Sequence, residues 1–83
     1  MRSNELVPLT TLSSGEVGVV QALVGGLRLR SRLATLGFIP GARLMMMQNF
    51  GYGPLIVNIR DTRIALGRGE AMKVLVKRMT NDR

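Results

Sequence analysis

Two runs of alternating side chains, Arg43 to Phe50 and Pro54 to Arg60, meet at Gly51-Tyr52-Gly53, and that junction limits the folds open to this chain. The first run sets Leu44, Met46 and Phe50 against Arg43, Met45, Met47 and Asn49; the second puts Leu55, Val57 and Ile59 on one face. Only an extended backbone sends successive side chains to opposite faces, so period-two patterning on both sides of a short glycine-containing loop predicts a β-hairpin. A second tight reversal at Asp61-Thr62 leads into Arg63-Ile64-Ala65-Leu66. Glu16 to Val24 is rich in β-branched residues, with Val17, Val19 and Leu23 sharing a face and Gly25-Gly26 at its end. Met72 to Lys77 closes the series, with Met72, Val74 and Val76 inward and Lys73 and Lys77 outward. The pattern predicts about five short strands.

One segment breaks the β pattern. From Leu27 to Leu36, Leu29, Leu33 and Leu36 recur at the spacing of a narrow helical stripe. Gly37 stands where a left-handed residue would follow the last turn, and Phe38 where a Schellman cap places an apolar residue that packs back on Leu33. Pro40 follows, as it does past helix stops. The expectation is a helix over about 27–36, inserted after the first strand of a mainly β fold. A small sheet has two faces and two edges to protect, and bending it toward closure protects both, so a small SH3-like barrel is the simplest architecture.

Size and charge bound the function. The 83 residues form a single domain, residues 1–83, with a core over about 8–77 and short flexible ends. A hydrophobic fraction of 46% suits a globular domain. The chain has no Cys and no His, which removes disulfide frameworks, zinc ribbons, iron–sulfur clusters and Ser-His-Asp or Cys-His catalysis. Its five carboxylates, Glu5, Glu16, Asp61, Glu70 and Asp82, are well separated, so an acid/base pair is not expected. The chain reads as a non-enzyme with no catalytic residue and no cofactor. No apolar stretch suits a signal-peptide core or a membrane span, and a cytoplasmic protein is expected.

Three motifs invite a site and yield a plainer account. Gly67-Arg68-Gly69-Glu70-Ala71-Met72 begins like a dinucleotide fingerprint but has Met at the third glycine position and leads into a strand, so it reads as a tight helical turn. Met45-Met46-Met47 offers thioethers, but on a strand only Met45 and Met47 share a face; Met46 is expected to fill the core and no metal site is assigned. No phosphate-loop pattern occurs. The charge remains: twelve Lys+Arg against five Asp+Glu give a net +7, and ten of the twelve cations are Arg. Arg28, Arg30 and Arg32 fall within five residues of the apolar-striped helix, Arg28 and Arg32 on one face. Beyond a solvated basic surface, such a cluster suits an acidic protein, an anionic membrane or nucleic acid, because the guanidinium fork matches carboxylate and phosphate alike. The candidate partner-binding residues are Arg28, Arg30 and Arg32 with the loop Gly51, Tyr52 and Gly53.

Taken in order, these motifs resemble the family of ferrous-iron transport protein A, FeoA. The resemblance is carried by Pro8-Leu9, Leu12, Gly15 and Val17, by Arg32-Leu33-Ala34-Thr35-Leu36-Gly37-Phe38-Ile39-Pro40-Gly41, and by Gly53-Pro54-Leu55-Ile56-Val57. Ile64-Ala65-Leu66, Glu70-Ala71, Val74 and Val76 complete it. It implies an SH3-like barrel and a small cytosolic accessory of bacterial Fe(II) uptake, acting on the membrane transporter FeoB at its cytosolic GTP-binding region. Similar domains end some iron-dependent repressors, whose DNA-binding portion this chain is too short to hold. Gly67 and Gly69 flanking Arg68 depart from the family pattern, in which a less flexible turn is usual. The alternative function is a basic small-barrel nucleic-acid-binding module, and homo-oligomerisation stays open.

Overall fold

The hairpin predicted around Gly51-Tyr52-Gly53 joins β3 (Arg43–Gln48) to β4 (Leu55–Ile59) in a computed structural model that describes residues 5–79. Around it lie β1 (Leu6–Pro8), β2 (Val17–Leu23), β5 (Thr62–Leu66) and β6 (Val74–Arg78), forming one antiparallel sheet in the order β1-β6-β2-β3-β4-β5. Helix α1 (Leu27–Thr35) connects β2 to β3, and a single helical turn, α2 (Arg68–Ala71), connects β5 to β6. The sheet is thus mainly β with one principal helix, as expected, and carries one strand more. The three-residue β1 precedes the predicted series, so α1 follows the second strand. β1 was invisible to patterning because three residues ending in Pro8 show no period. The expected flexible ends fall mostly on residues outside 5–79.

A wholly apolar core holds the sheet: Val20, Leu44, Met46, Val57, Ile59 and Val76 point inward, and Leu9, Leu12, Leu33 and Phe38 close over them. No polar or charged residue is buried among the described residues. The predicted helix stop forms as drawn. Gly37 adopts φ +110°, its N–H donates to the Ala34 carbonyl at 2.9 Å, and the Phe38 N–H donates to the Leu33 carbonyl at 3.1 Å. This is the paired 6→1 and 5→2 bonding of a Schellman cap, and it drives Phe38 into the core over Leu33. The helix ends one residue early, with Leu36 as the cap and partly exposed.

Four expectations need correction. In β2 the inward residues are Gly18 and Val20, not Val17 and Val19. A Cβ on Gly18 would lie 3.1 Å from Leu12 Cδ1 and 3.3 Å from Val76 Cγ2, so the core occupies the space where a side chain would have marked the face. A bulge between Val20 and Ala22 then resets the phase and returns Leu23 to the core side. Phe50 lies outside the core, 63% exposed, because a second bulge between Met46 and Gln48 ends the alternation before it. Met72 is 56% exposed because it caps α2 instead of starting β6. The Asp61-Thr62 reversal sits one residue earlier, as an Arg60–Asp61 turn with φ +54° and +63°.

Candidate partner-binding surface

Two of the three helix arginines are already engaged, by groups that differ in kind. The α1 sequence buries Leu33 and half-buries Leu29, leaving the arginines on the solvent side. Arg30 folds back so that Nε donates to the Gly25 carbonyl at 3.1 Å, satisfying the chain just before the helix. Arg32 bridges to Glu70 on α2. Arg28 makes no side-chain hydrogen bond or ion pair with a described residue. The cluster is therefore not three equivalent cations: Arg28 is open, Arg30 is tethered, and Arg32 has a carboxylate partner.

The loop from Asn49 to Pro54 is held from the other side of α2. Arg68 donates to the Gly53 carbonyl at 3.0 Å and to Asn49 Oδ1 at 2.8 Å. Asn49 is the hub. Its Oδ1 also accepts from the Gly51 N–H at 3.0 Å, and its Nδ2 donates to the carbonyls of Thr10 (3.1 Å) and Leu12 (2.7 Å). The amide orientation follows from its neighbour, since a guanidinium only donates and must face oxygen. Gly51 and Gly53 take φ +90° and +72°, which lets the loop double back and leaves Phe50 and Tyr52 side by side, ring centroids 6.2 Å apart. Tyr52 is 73% exposed.

Helical turn α2 thus joins the two predicted patches. Glu70 faces Arg32 on α1, and Arg68 faces Asn49 and Gly53 in the loop. Glu70 also accepts from the Gly67 N–H at 3.4 Å, half of a capping box at the start of the turn. The hydrogen bond from Arg32 holds the Glu70 carboxyl below its ordinary pKa, aided by the Gly67 N–H and opposed by partial desolvation. The glycines flanking Arg68 leave this turn flexible in sequence; side chains from both neighbours brace it in the fold. Glu70, Asn49 and Phe50 were missed as surface-forming residues, and Arg68 was not among the candidate partner-binding residues. The Gly67-Arg68-Gly69-Glu70 turn was recognised, but nothing in sequence spacing told that its two charged side chains reach in opposite directions.

Chemically, the surface offers open guanidinium charge on α1 and an exposed aromatic pair on a braced loop. Among the described residues no three His, Cys, Asp or Glu side chains come together as a metal site would need. Nor is any described helix long and apolar enough to cross a membrane. A separate open groove of about 360 Å³ lies on the outer sheet face, lined by Val17, Met45, Asn58, Arg43 and Arg60 among others.

Compared with known proteins, the chain matches the FeoA domain family over residues 7–78, the whole span from β1 through β6. The chain belongs to the FeoA family. A Methanocaldococcus jannaschii protein provisionally named Fe(2+) transport protein A is 33% identical over 72 residues, covering 87% of each chain. A crystal structure of an iron uptake regulatory protein, FeoA, superposes with TM-score 0.85 at 32% identity, covering 90% of this chain and all of that one. The Stenotrophomonas maltophilia FeoA, solved with zinc and described as an SH3 domain protein, gives TM-score 0.75 at 31% identity over 84% of this chain and 88% of its own. The six-stranded antiparallel sheet and inserted helix described above are thus the SH3-like arrangement of FeoA proteins.

Proposed function

We propose that this FeoA-family chain is a cytoplasmic, non-enzymatic accessory of ferrous-iron uptake, binding an FeoB-type membrane transporter at its cytosolic GTP-binding region. The contact surface is α1, α2 and the Phe50–Gly53 loop, with Arg28 and Tyr52 as its reaching side chains and Arg30 tethered beside them on α1. The observation that carries the reading is the cross-bracing of α2. It makes basic helix and aromatic loop one continuous surface, and aromatic and Arg side chains are the residues that concentrate binding energy in protein interfaces. FeoA membership supplies the iron-uptake context. The test is a calorimetric titration of the transporter's GTP-binding region. Arg28→Glu with Arg30→Glu, and separately Tyr52→Ala, are expected to weaken binding about tenfold or more, hot-spot losses of more than 1 kcal/mol. Arg32 is kept, because reversing it would break the bridge to Glu70. Wild-type affinity in both variants removes this surface from the interface.

One observation favours a second reading, binding of single-stranded nucleic acid. Phe50 and Tyr52 are both exposed on the loop that Arg68 braces, and aromatic–base stacking on a basic surface is how small barrels hold single strands. That reading requires affinity for mixed oligonucleotides that falls steeply with salt. No binding at low salt ends it.

A further inference from the structure

Strand β5 is the last strand of the sheet and pairs only with β4. The Arg60–Asp61 turn fixes which backbone groups that pairing uses. In a hairpin closed by two residues, the flanking pair exchanges both hydrogen bonds, and bonded and non-bonded pairs then alternate. Ile59 with Thr62, Val57 with Ile64, and Leu55 with Leu66 are therefore the bonded pairs. The N–H and C=O groups of Arg63 and Ala65 point the other way, off the sheet, and no described residue bonds to them. Both residues are exposed. Sheet edges in proteins are blunted by proline, a bulge or a covering segment. Among the described residues β5 has none of these: its register with β4 is regular throughout, and no other strand lies beside it.

What guards this edge is charge. Arg63 is its second residue, on the outer face, with Arg60 at the turn before the strand; Arg68, just after it, is held by Asn49 and Gly53. The only carboxylate on the hairpin is Asp61, and neither ion pair among the described residues involves Arg60, Arg63 or Arg68. A basic edge repels basic strands, and a second copy of this chain is one. Paired about Arg63, two copies set that arginine against its counterpart; paired about Ile64, they set it against Ala65, with no carboxylate to meet it. An acidic strand meets the opposite situation at each position.

We propose that the free edge of β5 takes up an extended acidic segment of a partner protein as a seventh strand. Main-chain hydrogen bonds go to Arg63 and Ala65, and a carboxylate of the added strand lies opposite the Arg63 guanidinium. Because side chains alternate along a strand, the fitting segment alternates carboxylates, on the Arg63 face, with apolar residues that extend the face carrying Ile64 and Leu66. The site uses none of Arg28, Arg30 or Tyr52, so it stands or falls separately from the transporter interface.

The test uses the full chain, ¹⁵N-labelled, and a capped heptapeptide of alternating Glu and Val, with the Lys/Val peptide as control. Saturation with the Glu/Val peptide slows amide exchange at Arg63 and Ala65 by about tenfold or more, since exchange tracks opening of the hydrogen bond. The Lys/Val peptide leaves both amides unchanged. Arg63→Glu weakens binding about tenfold, turning a cross-strand attraction into a repulsion. Ala65→Pro abolishes it while keeping every β4 hydrogen bond, because the N–H it removes faces outward. Glu/Val peptide N-methylated at the edge-facing residues also fails to bind, with the protein itself unaltered. The proposal is overturned if the affected amides lie only on α1 and the Asn49–Pro54 loop, or if N-methylated and unmethylated peptides bind alike. Protection of Arg63 and Ala65 that rises with protein concentration alone, without peptide, assigns the edge to a second copy and equally overturns it.

Discussion

Replacing Asn49 by Ala removes four hydrogen bonds with one side chain. Two run from Nδ2 to the Thr10 and Leu12 carbonyls, and two arrive at Oδ1 from the Gly51 N–H and the Arg68 guanidinium. Neutral intramolecular bonds contribute about 1 kcal/mol each and those to a charged group roughly 1.5–3, giving a gross loss of about 5 kcal/mol. Asn49 is only half-buried, so water recovers part of this at the loop side. The Leu12 carbonyl, on a fully buried residue, recovers least. A net destabilisation of about 3 kcal/mol follows, a large share of the roughly 4–12 kcal/mol expected of a domain this size. In urea, with a slope of about 2 kcal/mol/M, the midpoint falls by about 1.5 M. Asn49→Asp separates the two halves of the hub: it keeps the oxygen facing Arg68 but turns a second oxygen toward two carbonyls. It therefore remains less stable than wild type despite the added attraction to Arg68. A double-mutant cycle with Arg68→Ala should return a coupling of about 1–2 kcal/mol. A midpoint shift below about 0.5 M for Asn49→Ala, or Asn49→Asp more stable than wild type, refutes the hub.

Three further outcomes are expected. Gly37→Ala forces a side chain into φ +110° and brings its Cβ within 3.3 Å of Arg60 Cδ; a loss of about 1–2 kcal/mol should lower the melting temperature by roughly 4–8 °C per kcal/mol. Arg60→Asn together with Asp61→Gly, the pair that two-residue hairpin turns prefer, should stabilise by about 1 kcal/mol because both positions have positive φ. For Glu70 the folded pKa is lowered, so its contribution is full above the unfolded value of about 4.3 and is lost as pH falls through the lower folded one. Urea melts of wild type and Glu70→Gln should therefore differ at neutral pH and converge as pH falls through the lowered folded value, whereas a gap independent of pH removes the Arg32 bridge as its cause.

How much of this was legible depends on whether the determining signal was local. The Schellman cap was, because Gly37 and Phe38 announce it within two residues of the helix end. The β3–β4 hairpin was, because its two runs alternate on either side of their loop. The inward face of β2 was not: its inward residue Gly18 has no side chain, and Leu12, six positions away, fills the gap. Phe50 misled for a related reason, since a bulge changes the phase of a strand without changing its composition. The partner-binding surface divides in the same way. Arg28, Arg30 and Arg32 are dense in sequence and easily found, whereas the bonds that tie Arg32 to Glu70 and Arg68 to Asn49 span 38 and 19 positions. Long-range pairing of polar side chains leaves no periodic trace.

The double brace on α2 has a kinetic consequence. Because Arg32–Glu70 on one side and Arg68–Asn49 on the other hold helix and loop before any partner arrives, an incoming protein meets a surface already ordered. For Arg32 and Arg68 the cost of immobilising a long side chain on association, about 0.5–1.5 kcal/mol, has been met during folding. Association should then be a single step whose observed rate rises linearly with concentration and shows no plateau. Cutting one brace would reveal itself first as a lag in capture, before equilibrium affinity has moved far.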